Sequence, residues 1–253
     1  MSLFRFSVVV VSLFVPIAIW QSALWISGVG EHVFPGPALV FASFWDLVID
    51  GTLLKHSVAS LYRVTVGFYL AVILGIPLGI VLGRSNYAKA VLNPLIQFLR
   101  PISPLAWIPL AMLWFGIGDP PAIFLIFLAC FFPLLVSSIA AVDSINPVYF
   151  QVAANFKFTR LEVLREVLVP AIIPEILTGL RLTVAIAWLV VVAAEMIAVQ
   201  SGLGFLILDS RNALRMDYVL VGMIMIGFIG MVLDHLMQRL AMTDAVLWKR
   251  SKG

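Results

Sequence analysis

Long apolar stretches, separated by short polar segments, dominate this chain. A helix needs about 20 mostly apolar residues to cross the ~30 Å hydrocarbon core of a bilayer. Stretches of that length recur along the sequence with few charged positions inside them. The predicted spans are Phe6–Ile26, Ala59–Leu82, Val91–Phe115, Ala122–Val142, Ile172–Val199 and Tyr218–Leu240. The pattern therefore predicts an all-α polytopic membrane protein with six transmembrane helices.

The first apolar stretch has an alternative interpretation as a secretory signal peptide. It is longer than a typical signal-peptide core, and no clear small-x-small cleavage site follows it. We interpret it as a retained span.

The third stretch carries Pro101, Pro104 and Pro109 within nine residues, so we do not expect a regular helix throughout it. Broken helices are tolerated in membranes where they pack on protein or line a cavity. The irregularity indicates either a translocation path or a kink needed for packing.

Between the first two spans, the segment Phe34–Asp50 places apolar residues at helical spacing after Pro37, which suits a helix start. Two interpretations stay open for it. It is either an amphipathic helix on the outer membrane face or a short connecting helix packed on the bundle.

Composition strengthens the membrane interpretation. Of the 253 residues, 62% are hydrophobic and only 11% are charged, against about 25% charged in a typical soluble domain. We expect membrane lipid around the chain. The net charge of +3 gives no support to nucleic-acid binding. The single Cys130 lies in an apolar run and is expected to be a buried structural thiol.

The distribution of basic residues predicts orientation, since Lys and Arg are enriched in cytoplasmic loops. With a cytoplasmic N-terminus, ten of these residues lie in inner segments, whereas Lys55, Arg211 and Arg215 lie outside. Both termini are therefore predicted to be cytoplasmic.

Several catalytic motifs are absent from the sequence. It has no Gly-x-x-x-x-Gly-Lys-Ser/Thr phosphate loop, no His-Glu-x-x-His and no Gly-x-Ser-x-Gly. His32, His56 and His235 are isolated, so no metal site is predicted. We expect no enzyme activity and no cofactor on this chain. Energy for active transport would come from another chain or from an ion gradient.

The segment from Asp143 to Val169 is the longest internal loop on the predicted cytoplasmic side. Asn146 and Pro147 predict a helix start, and Thr159 with Glu162 forms a capping-box pattern. We predict two short helices joined by a turn at Lys157 and Phe158, the second ending before Pro170.

This segment resembles the EAA loop of ABC importer permeases, which is Glu-Ala-Ala, three residues, Gly, nine residues and Ile-x-Leu-Pro. The spacing is kept, but Ala153 and Pro170 alone match strictly. The other motif positions hold Gln151, Val152, Lys157, Val167 and Val169. A lysine at the glycine position departs from the pattern, because lysine adopts a left-handed backbone less freely. A basic residue there also resembles the nitrate and bicarbonate branch.

The flanking sequence is similar to the nitrate, sulfonate, taurine and bicarbonate permease group. The similarity lies in Arg100–Gly118, Pro170–Arg181, the pair Ala187-Trp188 and the run Ala193-Ala-Glu-Met196. In all, the resemblance covers about residues 57–240.

The resemblance implies a type I ABC importer permease fold in a bacterial inner membrane. Residues 1–56 would hold the first span and a periplasmic segment, 57–240 the permease core with its loop at 143–169, and 241–253 a cytoplasmic tail. It also implies a second copy of the chain, two cytoplasmic ATP-binding subunits that carry ATP and Mg, and a periplasmic or lipid-anchored substrate-binding protein.

The same resemblance gives candidate site residues. Those expected to couple the chain to the ATPase are Gln151, Ala153, Ala154, Asn155, Phe156, Lys157, Thr159 and Arg160. Those expected on the translocation path of a small anion are Arg100, Ser103, Trp107, Arg181 and Glu195. Each path arginine has an alternative role, either reaching to the inner interface or pairing with Glu175. Trp107 is either a gate or a packing residue.

Two other functions remain open at the level of the sequence. One is import of a neutral or cationic metabolite, such as a thiamine precursor, by the same fold. The other is a gradient-driven carrier or channel, although the two halves show no clear internal repeat.

Overall fold

The structure is a computed structural model that describes residues 15–26, 28, 30 and 33–241. Every regular element in these residues is helical. The α-helices are α1 (Val15–Ile26), α2 (Pro37–Ile49), α3 (Thr52–Arg84), α4 (Asn86–Leu99), α5 (Ile108–Phe115), α6 (Asp119–Asp143), α7 (Pro147–Asn155), α8 (Arg160–Glu162), α9 (Val169–Ala198), α10 (Leu203–Asn212) and α11 (Met216–Ala241). A 3₁₀ turn, Pro104–Trp107, precedes α5, and a π-helical segment, Val163–Leu168, joins α8 to α9.

Four of the helical stretches are long and apolar enough to cross a membrane. They are α3, α6, the continuous run Arg160–Ala198 and Met216–Arg239 within α11. A fifth span results if α4 and the stretch Pro104–Phe115 count as one, although the two are bent by 84°. The predicted irregularity of the third stretch is thus confirmed. Of the first predicted span, only α1 can be described, because residues 6–14 lie outside the described residues.

One predicted helix end is wrong. The second helix of the loop was expected to end before Pro170, but the chain stays helical from Arg160 to Ala198. Proline in an α-helix lacks an N–H and clashes with the carbonyl four residues earlier. Here the turn before Pro170 is π-helical, and the Val169 N–H bonds to the Leu164 carbonyl, five residues back. This wider turn changes the local register and lets the helix continue.

The segment α2 packs on the bundle against α11, through buried Val40, Ser43 and Leu47. The Ser43 hydroxyl donates to Asp217 at 2.7 Å. The interpretation as a packed connecting helix therefore holds. Phe41, Trp45 and Ile49 remain exposed on the opposite face, as suits a membrane protein whose outer surface is apolar.

The centre of the bundle is the contact between α3 and α6. Small residues recur at every fourth position of α3, and they lie on the face that contacts α6: Gly67, Ala71, Gly75, Gly79 and Gly83. A Cβ at Gly79 would lie 2.5 Å from the Cβ of Ser138, and one at Gly83 would lie 2.7 Å from that of Val142. Small residues at this spacing let membrane helices approach closely, so we call this face the glycine seam.

The bundle has two ends, which we name by the short helices they carry. The α7 end holds the end of α3, the end of α6 and the start of α9, around a cluster of Ala141, Val142, Ile145, Leu168 and Ile172. The α10 end holds the other ends of the same three helices. Cys130 lies between the ends, fully buried in the main core, as predicted.

We expect Gly79→Ala to destabilise the protein by about 1–3 kcal/mol, because the added methyl overpacks the seam. The matched control is Gly227→Ala in α11, where a Cβ would meet nothing within 4 Å. That change should be neutral or stabilising by up to about 1 kcal/mol, the usual gain for alanine in a helix. Thermal unfolding of the two variants in detergent tests this. Equal midpoints would show that the seam is not tightly packed.

Candidate functional site

A network of charged and polar groups joins α3, α6 and α9 at the α10 end. The Arg63 side chain is 2% exposed, and that of Glu195 is fully buried. The Arg63 Nη1 atom lies 2.6 Å from Glu195 Oε1, and its Nε donates to Asp119 at 2.8 Å. A charge at membrane depth is costly unless it is paired, and these contacts supply the pairing.

The loop between α9 and α10 is held by the same network. Arg63 donates to the carbonyl oxygen of Ser201 at 2.7 Å and also bonds the hydroxyl of that serine. The second oxygen of Glu195 accepts from Ser60 at 2.8 Å and from the Gly204 N–H at 3.0 Å. Gly202, at φ +104°, has no room for a Cβ, which would lie 2.2 Å from Glu195. Side chains and backbone thus satisfy both oxygens of the buried carboxylate.

The predicted path residue Glu195 therefore sits inside the subunit rather than on an open surface. Its surroundings were not predicted. The sequence indicates Arg63 as unusual, since it interrupts an apolar span. Nothing in the pattern names its partners, because Glu195 follows it by 132 positions.

A second ion pair lies nearer the α7 end, between α9 and α11. Arg181 Nε donates to Asp234 at 2.9 Å, and both side chains are about half-buried. Gln238 also donates to Asp234, at 2.8 Å. The structure thus gives Arg181 a partner in Asp234. The pair borders a cavity of about 260 Å³ whose other walls include Trp188 and Gly230.

Arg100 and Trp107 line a different cavity, of about 210 Å³, at the break between α4 and α5. Phe132 and Pro133 of α6 and Val190 of α9 form part of its apolar wall. Arg100 itself is exposed, and so is Ser103, which precedes the 3₁₀ turn. The bend therefore brings two of the predicted path residues, Arg100 and Trp107, to one cavity, while Arg181 and Glu195 lie elsewhere.

The α7 end presents an exposed helix–turn–helix. Asn146 caps α7 by accepting from the Val148 N–H at 3.0 Å. Thr159 and Glu162 form the predicted capping box, each side chain accepting from the backbone N–H of the other. Both predicted helix starts are confirmed.

The turn between these helices places Lys157 at φ +55°, in the left-handed region. Its N–H bonds the Ala154 carbonyl, and the Phe158 N–H bonds the Ala153 carbonyl, both at 3.0 Å. This hydrogen-bond pair is the Schellman motif, whose left-handed position glycine usually fills. The backbone here has the conformation that the glycine of the EAA pattern would supply, although lysine pays a steric cost to adopt it.

Most of the residues predicted to couple to a partner are exposed on this feature. They are Gln151, Ala154, Asn155, Phe156, Lys157, Thr159 and Arg160. Ala153 is different, since it is 2% exposed and faces its own chain. Its small side chain thus serves the packing of α7 on the bundle. Phe156, by contrast, is 73% exposed.

The fold and these features define the class of the protein. It is a multi-pass membrane protein in which Arg63 and Arg181 form ion pairs between helices of the bundle. One end of that bundle carries an exposed helical loop with basic and aromatic side chains.

Comparison with known proteins then gives the family. Residues 75–242 match the family described as binding-protein-dependent transport system inner membrane component. The chain belongs to this family, and it is the membrane-spanning permease subunit of an ABC importer.

Three relatives illustrate the similarity. The chain is 36% identical to the taurine transport system permease protein TauC of Escherichia coli K12, over 88% of this chain and 83% of that protein. It is 37% identical to the nitrate import permease protein NrtB of Leptolyngbya laminosa, over 89% and 83%. It is 35% identical to the putative aliphatic sulfonates transport permease protein SsuC of Bacillus subtilis 168, over 93% and 85%.

A solved structure supports the fold. An inward-facing conformation of the MetNI methionine ABC transporter matches with a TM-score of 0.64 at 14% sequence identity. The match covers 72% of this chain and 91% of that chain. The architecture is therefore that of a type I ABC importer permease.

Arg63→Met should destabilise the protein by about 3–5 kcal/mol, because it leaves Glu195 buried without its counter-charge. Adding Glu195→Gln should recover part of this lost stability, since the amide that replaces the carboxylate carries no charge. Lys89→Met is the control, because it breaks an exposed pair with Asp143 and should cost under about 1 kcal/mol. Thermal unfolding in detergent measures all three. A double variant less stable than Arg63→Met alone would contradict the pairing argument.

Proposed function

We propose that this permease imports a small anion and works as a pair of identical subunits driven by two ATP-binding subunits. ATP and Mg would be bound by those partner chains. A periplasmic or lipid-anchored binding protein would deliver the anion at the α10 end. In this proposal the protein lies in a bacterial inner membrane with both termini in the cytoplasm, and ATP hydrolysis occurs outside this chain.

The exposed helix–turn–helix at the α7 end is the observation that carries the coupling part of the proposal. Its spacing follows the EAA pattern, and its turn adopts the left-handed backbone that the pattern's glycine would provide. Large apolar side chains on it, such as Tyr149 and Phe156, are exposed. Aromatic side chains and arginine are enriched at protein interfaces, and Arg160 is exposed on the same helix–turn–helix as these rings. We infer that α7 and the following turn enter a groove on the ATPase.

Ala153 has a distinct place in this proposal. Because it is buried, it acts by seating α7 on the bundle rather than by touching the partner. The contact surface then consists of Gln151, Ala154, Asn155, Phe156, Lys157, Thr159 and Arg160.

The cavity at the bend between α4 and α5 supports the proposal that the imported solute is an anion. Arg100 is a permanent cation beside an otherwise apolar wall that includes Trp107. Relatives named for taurine, nitrate and aliphatic sulfonates all handle anionic or acid-bearing solutes. We therefore assign Arg100 to attracting the anion, with Trp107 and Ser103 beside it on the path. Arg181 and Glu195 stay predicted path residues, and they are paired with Asp234 and Arg63.

Phe156→Ser should lower the amount of copurified ATPase by about tenfold, because truncating an aromatic anchor costs an interface over about 1 kcal/mol and about 1.4 kcal/mol is tenfold in affinity. The matched control is Tyr87→Ser in α4, which removes an aromatic side chain that is 82% exposed outside the loop. Quantitative mass spectrometry of the affinity-purified chain measures the ratio. An unchanged ratio in Phe156→Ser would remove the loop from the ATPase contact. A wild-type chain that purifies alone and moves solute without ATP would favour a gradient-driven carrier.

Arg100→Gln should reduce ATP-driven uptake of taurine, nitrate or an alkyl sulfonate by about tenfold, because a favourable charge contact is lost on the path. Arg100→Lys should keep part of the uptake. Arg239→Gln, at an exposed arginine of α11, should leave uptake unchanged. Uptake into proteoliposomes is the measurement. Equal uptake of the anion by Arg100→Gln and wild type would place the path elsewhere, and uptake of a neutral or cationic metabolite instead would overturn the assigned substrate class.

A further inference from the structure

Few contacts hold α7 on the bundle. Most of its side chains are exposed, Ala153 is buried, and Phe150 is half-buried. The Phe150 ring packs against the cluster of Ala141, Val142, Ile145, Leu168 and Ile172, and Ile80 of α3 packs there as well. Phe150 is therefore the main aromatic anchor of α7 at this end of the bundle.

A cation covers the same ring. The guanidinium carbon of Arg84 lies 4.6 Å from the centroid of Phe150. Arg84 is the last residue of α3 and follows Gly83, the last glycine of the seam. A guanidinium at this distance from an aromatic ring is attracted to it, and here the cation is exposed while the ring is half-buried. The contact ties α7 directly to α3.

α7 also packs against the π-helical segment Val163–Leu168, which leads into α9. The covalent route from α7 to α9 is less direct. It passes through the left-handed turn at Lys157 and then through the π-helical segment Val163–Leu168. A π turn interrupts the regular hydrogen-bond ladder, and such turns are frequent at functional sites. The contact of Phe150 with Arg84, by contrast, lies directly beside the glycine seam, where α3 and α6 are in close backbone contact.

We propose that Arg84 and Phe150 form the link through which a movement of α7 is passed to α3 and α6 as one unit. Arg84 is a positioning residue in this scheme, since it acts on the ring of Phe150 and touches neither the solute nor the ATPase. The far end of that unit carries Arg63 and Asp119, so the displacement reaches the α10 end. This inference rests on the proposed function, because it takes α7 as the element that the ATPase moves.

The test uses the complete transporter in proteoliposomes, with the ATP-binding subunits and the binding protein present. Two variants remove the link in different ways. Arg84→Met keeps a long side chain without the charge, and Phe150→Leu keeps an apolar side chain without the ring. Two conservative variants, Arg84→Lys and Phe150→Tyr, keep a cation over a ring. Arg239→Met is the matched control, at an exposed arginine of α11 that bonds His235 rather than an aromatic ring.

Three quantities are measured for each variant: ATPase copurified per permease, ATP hydrolysed, and solute imported per ATP. We expect Arg84→Met and Phe150→Leu to bind the ATPase as wild type does, but to import about fivefold less solute per ATP, the lower range of typical coupling between sites. The conservative variants should recover most of that ratio, and the Arg239→Met control should match wild type.

Other results overturn the proposal. An unchanged import ratio in both Arg84→Met and Phe150→Leu would show that α7 does not act through this pair. Loss of ATPase binding in these two variants would show that the pair merely keeps α7 folded. A separate result would overturn the proposed function, namely a wild-type chain that binds no ATPase.

Discussion

Glycines on one face of α3 let its backbone approach α6 until no larger side chain fits between the two helices. In lipid this contact gains little from the hydrophobic effect, because the surrounding chains are as apolar as the helices. Close van der Waals packing must hold the helices instead, and that packing requires small residues at regular spacing. The pair α3–α6 then forms the centre on which α9 packs, and α11 packs in turn on α9 and α2.

Charge is the second constraint on this bundle. Arg63 extends the line of the glycine seam toward the α10 end, where it meets carboxylates of α6 and α9. Since an unpaired charge at this depth is costly, the network fixes how the three helices lie relative to one another. It also orders the loop before α10, because Glu195 accepts from the Gly204 N–H and leaves no room for a side chain at Gly202. Pairing these charges thus shapes the end where substrate delivery is proposed.

The α7 end differs from the membrane-spanning helices in its exposed side chains and in its turn. The loop combines exposed aromatic side chains with basic ones, and its turn keeps a left-handed residue that is not glycine. A strained backbone position persists where the surrounding hydrogen bonds hold it, and such positions cluster at functional sites. Phe150 and Arg84 join this loop to the glycine seam, so the two ends of the molecule are connected through one packed pair of helices.

The sequence by itself determined that this is a membrane protein, where most of its spans lie, and both helix caps of the loop. These features depend on local composition and short-range hydrogen bonds. It also indicated the family through the loop and its flanks. Only the tertiary structure decided that Pro170 lies within a continuous helix, that Arg181 pairs with Asp234, and that Glu195 and Ala153 face inward. Those outcomes depend on contacts between residues distant in sequence. A periodic pattern shows which face of a helix is apolar or small, but the partner of each side chain is set by how the helices pack.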